Sequence, residues 1–244
     1  MSDTLKSIWF AAITALLASL LLTGASSGLK EYRLANIKLD NQKNLLKSVG
    51  LIHPDVTYTG EDIEKLYREN IKSYRAGEAG DLVPETAAAP QGSPLFLYVK
   101  DNQTRAYILP VHSRGLWGKI DGYLAVENDG RTVSGFTVYN HGETPGLGGE
   151  IEKAWFQNNF RGKKIVDQND RFVSVGIIKG KVADQVAAEN QANFVDGISG
   201  ATLTGRFLSE GLRDTLLAYE KVSAKFREGQ INLNTAAAEK TSSP

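Results

Sequence analysis

From Ile8 to Leu29 the chain reads IWFAAITALLASLLLTGASSGL, 22 residues without a charge. A helix needs about 20 such residues to span a bilayer core, where every backbone N–H and C=O must be satisfied within the segment itself. Trp9 stands near one end and Lys30, Tyr32 and Arg33 near the other, the side-chain types that settle at membrane–water boundaries. A secretory signal peptide has a shorter apolar region and a more basic start. Here the start sets Lys6 against Asp3, and the strongly apolar part alone is Ile8 to Thr23. A retained anchor over residues 1–29 is the expectation, with a cleaved signal as the competing reading. Either one ties the remainder to a membrane or carries it across. One Lys before the stretch against Lys30 and Arg33 after it sets no orientation.

The rest of the 244 residues suffices for one sizeable domain with appendages. Lys plus Arg number 28 and Asp plus Glu 28, so the basic excess of a nucleic-acid binder is missing. No cysteine is present, which excludes disulfide scaffolds, thiolate metal sites and a Cys nucleophile. The three histidines (His53, His112, His141) are too dispersed to suggest a metal site. No Ser-His-Asp or paired-carboxylate constellation, P-loop or dinucleotide fingerprint is found, so no catalytic residue is assigned and any NADH site lies on another chain.

Past the apolar stretch, Asp40 to Val49 and Thr59 to Tyr74 read as helices, the second with Ile63, Leu66, Tyr67 and Ile71 on one face. Residues 76–94, rich in Ala, Gly and Pro, read as a linker. Short β-rich runs then begin at Leu95, broken by Asp-Asn, Asp-Gly and Gly turns, with a further one at 171–180. Residues 149–160, Val182 to Phe194 and Gly205 to Phe226 look helical, the last carrying an apolar stripe through Phe207, Leu208, Leu212, Leu216, Tyr219 and Val222. The fold class expected is α+β: an anchor helix at 1–29, a helical segment and linker at 30–94, an α+β domain at 95–228 and a tail at 229–244.

Three strings carry the chemistry. Asp196 to Thr204 reads DGISGATLT and feeds the last helix. Small residues before a helix start leave backbone N–H groups and the positive end of the dipole open to an anion. Ser199, Thr202 and Thr204 add hydroxyls, while Gly200 and Ala201 keep side chains clear. An ordinary capping loop is the plainer reading. His141 to Gly149 reads HGETPGLGG, a Pro-Gly turn whose Gly148 and Gly149 let backbone approach a flat ligand, or simply a turn leading into a helix. Residues 115–127, GLWGKIDGYLAVE, place Trp117 either in a pocket wall or in the core. Lys179 stands at a strand end, where it could meet a phosphate or solvent.

Asp-Gly-X-Ser-Gly-Ala-Thr resembles the flavinylation motif of membrane flavoproteins that carry FMN on a threonine. A chance Ser-Gly-Ala-Thr in a chain of this length is an event on the order of one in a few hundred. HGETPGLGG and GLWG are similar to segments of FMN-binding subunits of respiratory sodium pumps. Together with the anchor and the NQKNLLKSVGL stretch at 41–51, they resemble the C-subunit family of sodium-translocating NADH:quinone reductases over nearly the whole chain. The G subunit of Rnf-type electron-transport complexes is the near relative and the alternative reading, with the NQKNLL and HGETPGLGGEI wording favouring the reductase.

The resemblance implies an electron-relay subunit bearing covalent FMN on Thr202 as a phosphoester, installed by a dedicated flavin transferase that takes FMN from FAD. Cofactor contacts are implied for Ser199, Gly200, Ala201, Leu203, Thr204, Thr144, Leu147, Gly148, Glu143, Trp117 and Lys179, with Leu147 covering a ring face and Thr144 bonding a polar edge. It further implies the other subunits of the reductase complex as partners, no nucleic acid, and a single-pass position in a bacterial inner membrane with the FMN domain on the periplasmic side. A membrane-anchored structural subunit that merely contains a flavin-like loop is the alternative of another class.

Overall fold

The computed structural model describes residues 2–53, 55–85 and 92–231. The chain divides into two units, Met1–Asp40 and Asn41–Pro244. In the first, helix α1 (Asp3–Gly28) coincides with the uncharged stretch and has no buried residue; Phe10 and Leu21 are each 74% exposed. This helix is long and apolar enough to cross a membrane. Helix α2 (Lys30–Ser48) follows after Leu29 and runs on into the second unit, where Leu45 and Leu46 are buried. The helix read at Asp40 to Val49 is the final part of this longer one.

Helix α3 (Gly60–Asn70) starts with a capping box in which the Thr59 hydroxyl accepts from the Asp62 N–H and the Asp62 carboxylate accepts from the Thr59 N–H. The backbone hydrogen bond from Thr59 holds the Asp62 carboxyl below the usual carboxylate range. The helix ends four residues earlier than the apolar spacing suggests. Ile71 takes extended angles (φ −112°, ψ 129°) and pairs with Tyr98, so it opens a strand rather than closing a helical face.

That strand, β1 (Ile71–Ala76), belongs to a six-stranded antiparallel sheet of order β2-β1-β3-β4-β5-β6. The other members are β2 (Leu82–Pro84), β3 (Ser93–Lys100), β4 (Gln103–Arg114), β5 (Lys119–Glu127) and β6 (Val133–His141). The linker expected at 76–94 therefore contains a strand, and the domain boundary drawn at 94 falls inside the sheet; residues 86–91 lie outside the described residues. Between β3 and β4 the turn residues Asp101 and Asn102 both have positive φ (53° and 57°). Two such residues make a hairpin turn whose twist matches the strands, and Asp and Asn tolerate that conformation.

Alternation along the strands sends Leu97, Tyr107, Leu109, Val111, Leu124, Val126, Phe136 and Val138 to one face. There they meet Leu208, Leu212 and Leu216 of helix α6 (Thr202–Ala218) and Val222 and Phe226 of helix α7 (Glu220–Arg227). Tyr107 stacks on Phe226 at 4.5 Å and donates to the Ser223 hydroxyl at 2.7 Å, which satisfies the one polar atom of its ring. On the opposite face the end of α2 covers the sheet, and the Thr137 hydroxyl donates to the Asn44 carbonyl. This antiparallel sheet with segregated helices is the α+β class expected.

Between β6 and α6 the chain is less regular than its composition suggests. Residues 149–160 form short turns of helix, Gly148–Glu152, α4 (Ala154–Gln157) and Asn158–Phe160, rather than one helix. Residues 171–180 supply only the two-residue strand β7 (Gly176–Ile177), because Ser174 takes a positive φ of 74° that ends any longer run. Val182 to Phe194 splits into α5 (Val182–Gln185) and a 3-10 stretch, Ala188–Asn193, before strand β8 (Phe194–Val195) pairs in parallel with β7. Ile151, Phe156, Phe160, Ile165 and Val175 of this region are all buried in the same core. The tail beyond Ile231 lies outside the described residues.

Candidate cofactor site

Antiparallel register brings the GLWG and HGETPGLGG strings together. Arg114 pairs with Lys119 and Ile120 with His141, so the 115–118 loop joining β4 to β5 stands beside the end of β6, where HGETPGLGG begins. The third string arrives because α6 packs along β4: the Ser113 hydroxyl donates to the Phe207 carbonyl at 2.8 Å. Three segments scattered over 90 residues thus converge at one end of the sheet.

A carboxylate joins them. Glu143 is 5% exposed; one of its oxygens accepts from the Trp117 N–H at 2.9 Å and the other from the Thr204 hydroxyl. Its own N–H donates to His141 Nδ1 at 3.1 Å. There is no room around it: a Cβ at Gly148 would stand 2.6 Å from both the Glu143 carboxylate and the Thr204 hydroxyl, and one at Gly115 would collide with the same carboxylate. Glycine at these two positions is a consequence of the buried acid.

Around this join the expected site residues divide into two sets. Thr204 (1% exposed), Glu143, Ala201 and Gly148 are inside. Thr202, Ser199, Gly200, Leu203, Thr144, Leu147, Trp117 and Lys179 are at the surface. Trp117, at 72% exposure, is not the core residue that tryptophan commonly becomes, and Leu147 and Leu203 are 44% and 47% exposed. Leu147 lies against the DGISGAT loop, its Cδ2 only 2.7 Å from where a Cβ on Gly200 would be. Lys179 is carried by the segment that runs beside residues 195–197, and among the described residues no partner meets its ammonium.

Thr202 is the first residue of α6, and Ala201 before it supplies no side-chain cap. Among the described residues no acceptor meets the N–H groups of Thr202, Leu203 or Thr204, and no side chain bonds the Thr202 hydroxyl. The helix start therefore offers a free hydroxyl beside free donors and the positive end of a 17-residue helix. Asp196, at the head of the motif, points elsewhere: its carboxylate accepts from Lys181 Nζ and from the Val182 N–H, both at 2.8 Å. The Lys181 hydrogen bond, with that of Val182, holds the Asp196 carboxyl below the ordinary range. Asp196 thus fixes the loop to the start of α5. Neither that tie nor the Glu143–Thr204 pairing was visible in the sequence, since the partners stand 15 and 61 residues apart.

An exposed Thr hydroxyl thus stands at an open helix start, with exposed Leu147 against its loop, exposed Leu203 beside it and exposed Trp117 on a loop tied to the same turn through Glu143. Such a place suits a phosphorylated ligand with a flat apolar body, and flavin nucleotides are of that kind. Residues 115–217 match the model of the FMN-binding domain family. The C subunit of the Na(+)-translocating NADH-quinone reductase of Pasteurella multocida is 30% identical over 90% of this chain and 93% of its own length. That of Vibrio parahaemolyticus is 33% identical over 89% and 93%. The crystal structure of the corresponding protein from Parabacteroides distasonis superposes with a TM-score of 0.67 at 33% identity, covering 80% of this chain and 96% of that one. NqrC of Shewanella oneidensis, at 24% identity and a TM-score of 0.60, shares the fold. The chain belongs to the C-subunit family of Na(+)-translocating NADH-quinone reductases.

Proposed function

We propose that this chain is an electron-relay subunit whose FMN is joined covalently to Thr202 as a phosphoester. The observation that carries the reading is the contrast between two hydroxyls of one helical turn: Thr202 is exposed and unbonded, whereas Thr204 is buried and committed to Glu143. In this reading the free N–H groups at the start of α6 hold the phosphate, and Lys179 adds a countercharge. Trp117, Leu147 and Leu203 offer apolar surface to the ring, and the Thr144 hydroxyl a hydrogen bond to its polar edge. Bound FMN supplies reversible uptake and release of electrons, singly or in pairs.

An unassisted Thr hydroxyl is a poor nucleophile, and among the described residues no base touches Thr202, so attachment belongs to a separate flavin transferase. The Thr202 oxygen bonds to the flavin phosphate as the FAD pyrophosphate breaks, AMP leaves and the hydroxyl proton passes to the transferase. Within the reductase the chain passes electrons between cofactors of the neighbouring subunits on the way from NADH to quinone, coupled to sodium export. Helix α1 holds it in the bacterial inner membrane with the sheet domain on the periplasmic side.

The decisive experiment is flavin fluorescence of the denatured band on a gel, with peptide mass mapping. Thr202→Ala is expected to fold and assemble yet lack the fluorescent band and block electron flow through the complex. FMN-sized added mass on Thr204 or Ser199 with Thr202 free overturns the assignment, and an unmodified chain in the working complex favours a purely structural subunit.

A further inference from the structure

We propose that Glu143 is a positioning residue for Thr202: through the Thr204 hydroxyl it fixes the rotation of the first turn of α6, and so turns the acceptor hydroxyl to the surface. The inference rests on the reading of Thr202 as the attachment site. Thr202 and Thr204 are two residues apart in one turn, so at 3.6 residues per turn their side chains point roughly 200° apart. Holding Thr204 inward therefore obliges Thr202 to face outward. In this turn the Thr204–Glu143 hydrogen bond is the one side-chain tie among the described residues, beside the Gly205 N–H bond to the Ala201 carbonyl. Ala201 brings no capping oxygen, and the first three N–H groups of the helix have no acceptor there.

The anchor is itself rigid. Glu143 is clamped by the Trp117 N–H, by its own N–H on His141 Nδ1, and by the glycines at 115 and 148, where a side chain would strike the carboxylate. Its negative charge also sits against a helix N-terminus, where the dipole favours it. Glu143 and Thr204 thus act behind the cofactor surface, although the motifs alone suggested direct contact for both. One carboxylate also ties the Trp117 loop to the Thr202 turn, so ring surface and phosphate attachment share a common mount.

The test uses the full-length protein made without a flavin transferase, then given purified transferase and FAD. Attached FMN is followed by fluorescence of the denatured band, its position is mapped by mass, and amide hydrogen exchange is measured on the flavin-free protein. Thr204→Val is expected to slow attachment roughly tenfold or more, since small misplacements of a reacting group carry penalties of that size. It should also speed exchange at Gly205 and Arg206, the first amides of α6 that have helical acceptors, while Leu208 to Leu216 stay protected. Thr204→Ser keeps the hydroxyl and should restore both. Glu143→Gln can set its carbonyl on the Trp117 N–H and its amide N–H on the Thr204 oxygen, replacing a charged hydrogen bond by a weaker neutral one, and should fall between. Wild-type attachment rates in Thr204→Val and Glu143→Gln, with FMN on Thr202, overturn the role of Glu143 alone. So does slowed attachment with unchanged exchange at Gly205 and Arg206. FMN on another residue of the unsubstituted chain overturns the Thr202 reading itself, a distinct result.

Discussion

Side chains with the same chemistry have separate duties at this site, and burial assigns them. Trp117 and Leu147 belong to the exposed set, so replacing either by Ala removes surface without opening a core. Both variants should therefore keep FMN on Thr202 while shifting its absorption spectrum and its reduction midpoint; unchanged spectra in both would place the ring against other residues. Asp196 has a different duty, tying the motif loop to Lys181 and Val182. Its carboxyl is depressed first by the Lys181 hydrogen bond, so the stability it contributes is fully present above the ordinary carboxylate range and is lost as pH falls through the lower, folded value. Asp196→Asn should accordingly lower the melting temperature at pH 7, with the difference from the parent shrinking in acid, below about pH 4. A gap that stays constant from neutral to acid pH would mean that the Asp196 charge plays no part in holding the loop.

At the scale of elements, α3 offers the plainest measurement. Thr59→Ala deletes the hydroxyl that accepts from Asp62, and should cost about 1 kcal/mol of unfolding free energy in a denaturant titration. An unchanged midpoint would show the helix to be held by Ile63 and its neighbours alone. This start was legible as Thr-Gly-Glu-Asp because capping is local chemistry, and the Asp101-Asn102 hairpin was legible for the same reason. The end of α3 was not: Ile71 keeps helical spacing from Tyr67, and only its pairing with Tyr98, 27 residues on, makes it a strand. Residues 149–160, 171–180 and 182–194 read as longer elements than they form, because Ile151, Phe156, Phe160 and Val175 fill the core from short turns, which leave no period in the sequence. The site divides in the same way. Its strings could be found by wording, whereas the Glu143–Thr204 contact depends on β4 and β6 ending at the same edge as α6 begins.

For the whole molecule the governing contrast is between a body with its own core and a helix that buries nothing within it. The unit from Asn41 onward contains the complete sheet and its packed helices, whereas α1, 26 residues and so about 39 Å long at 1.5 Å per residue, exceeds a hydrocarbon core of about 30 Å. Leu16, Leu17, Leu20, Leu21 and Leu22 are each more than half exposed in the chain by itself, a surface that water disfavours and lipid does not. With 28 basic and 28 acidic residues, the protein has no net charge to hold it to an anionic surface. Its attachment should therefore be apolar and insensitive to salt. The full-length protein is expected to stay with membranes through a high-salt wash and to leave them only in detergent. A chain beginning at Lys30 should be soluble, with the cooperative melting of the intact sheet and a Thr202 still open to flavinylation. Release of the full-length protein by salt would refute the apolar anchor. Mature protein beginning just after Ala25 or Gly28 would show α1 to be a signal peptide removed on export.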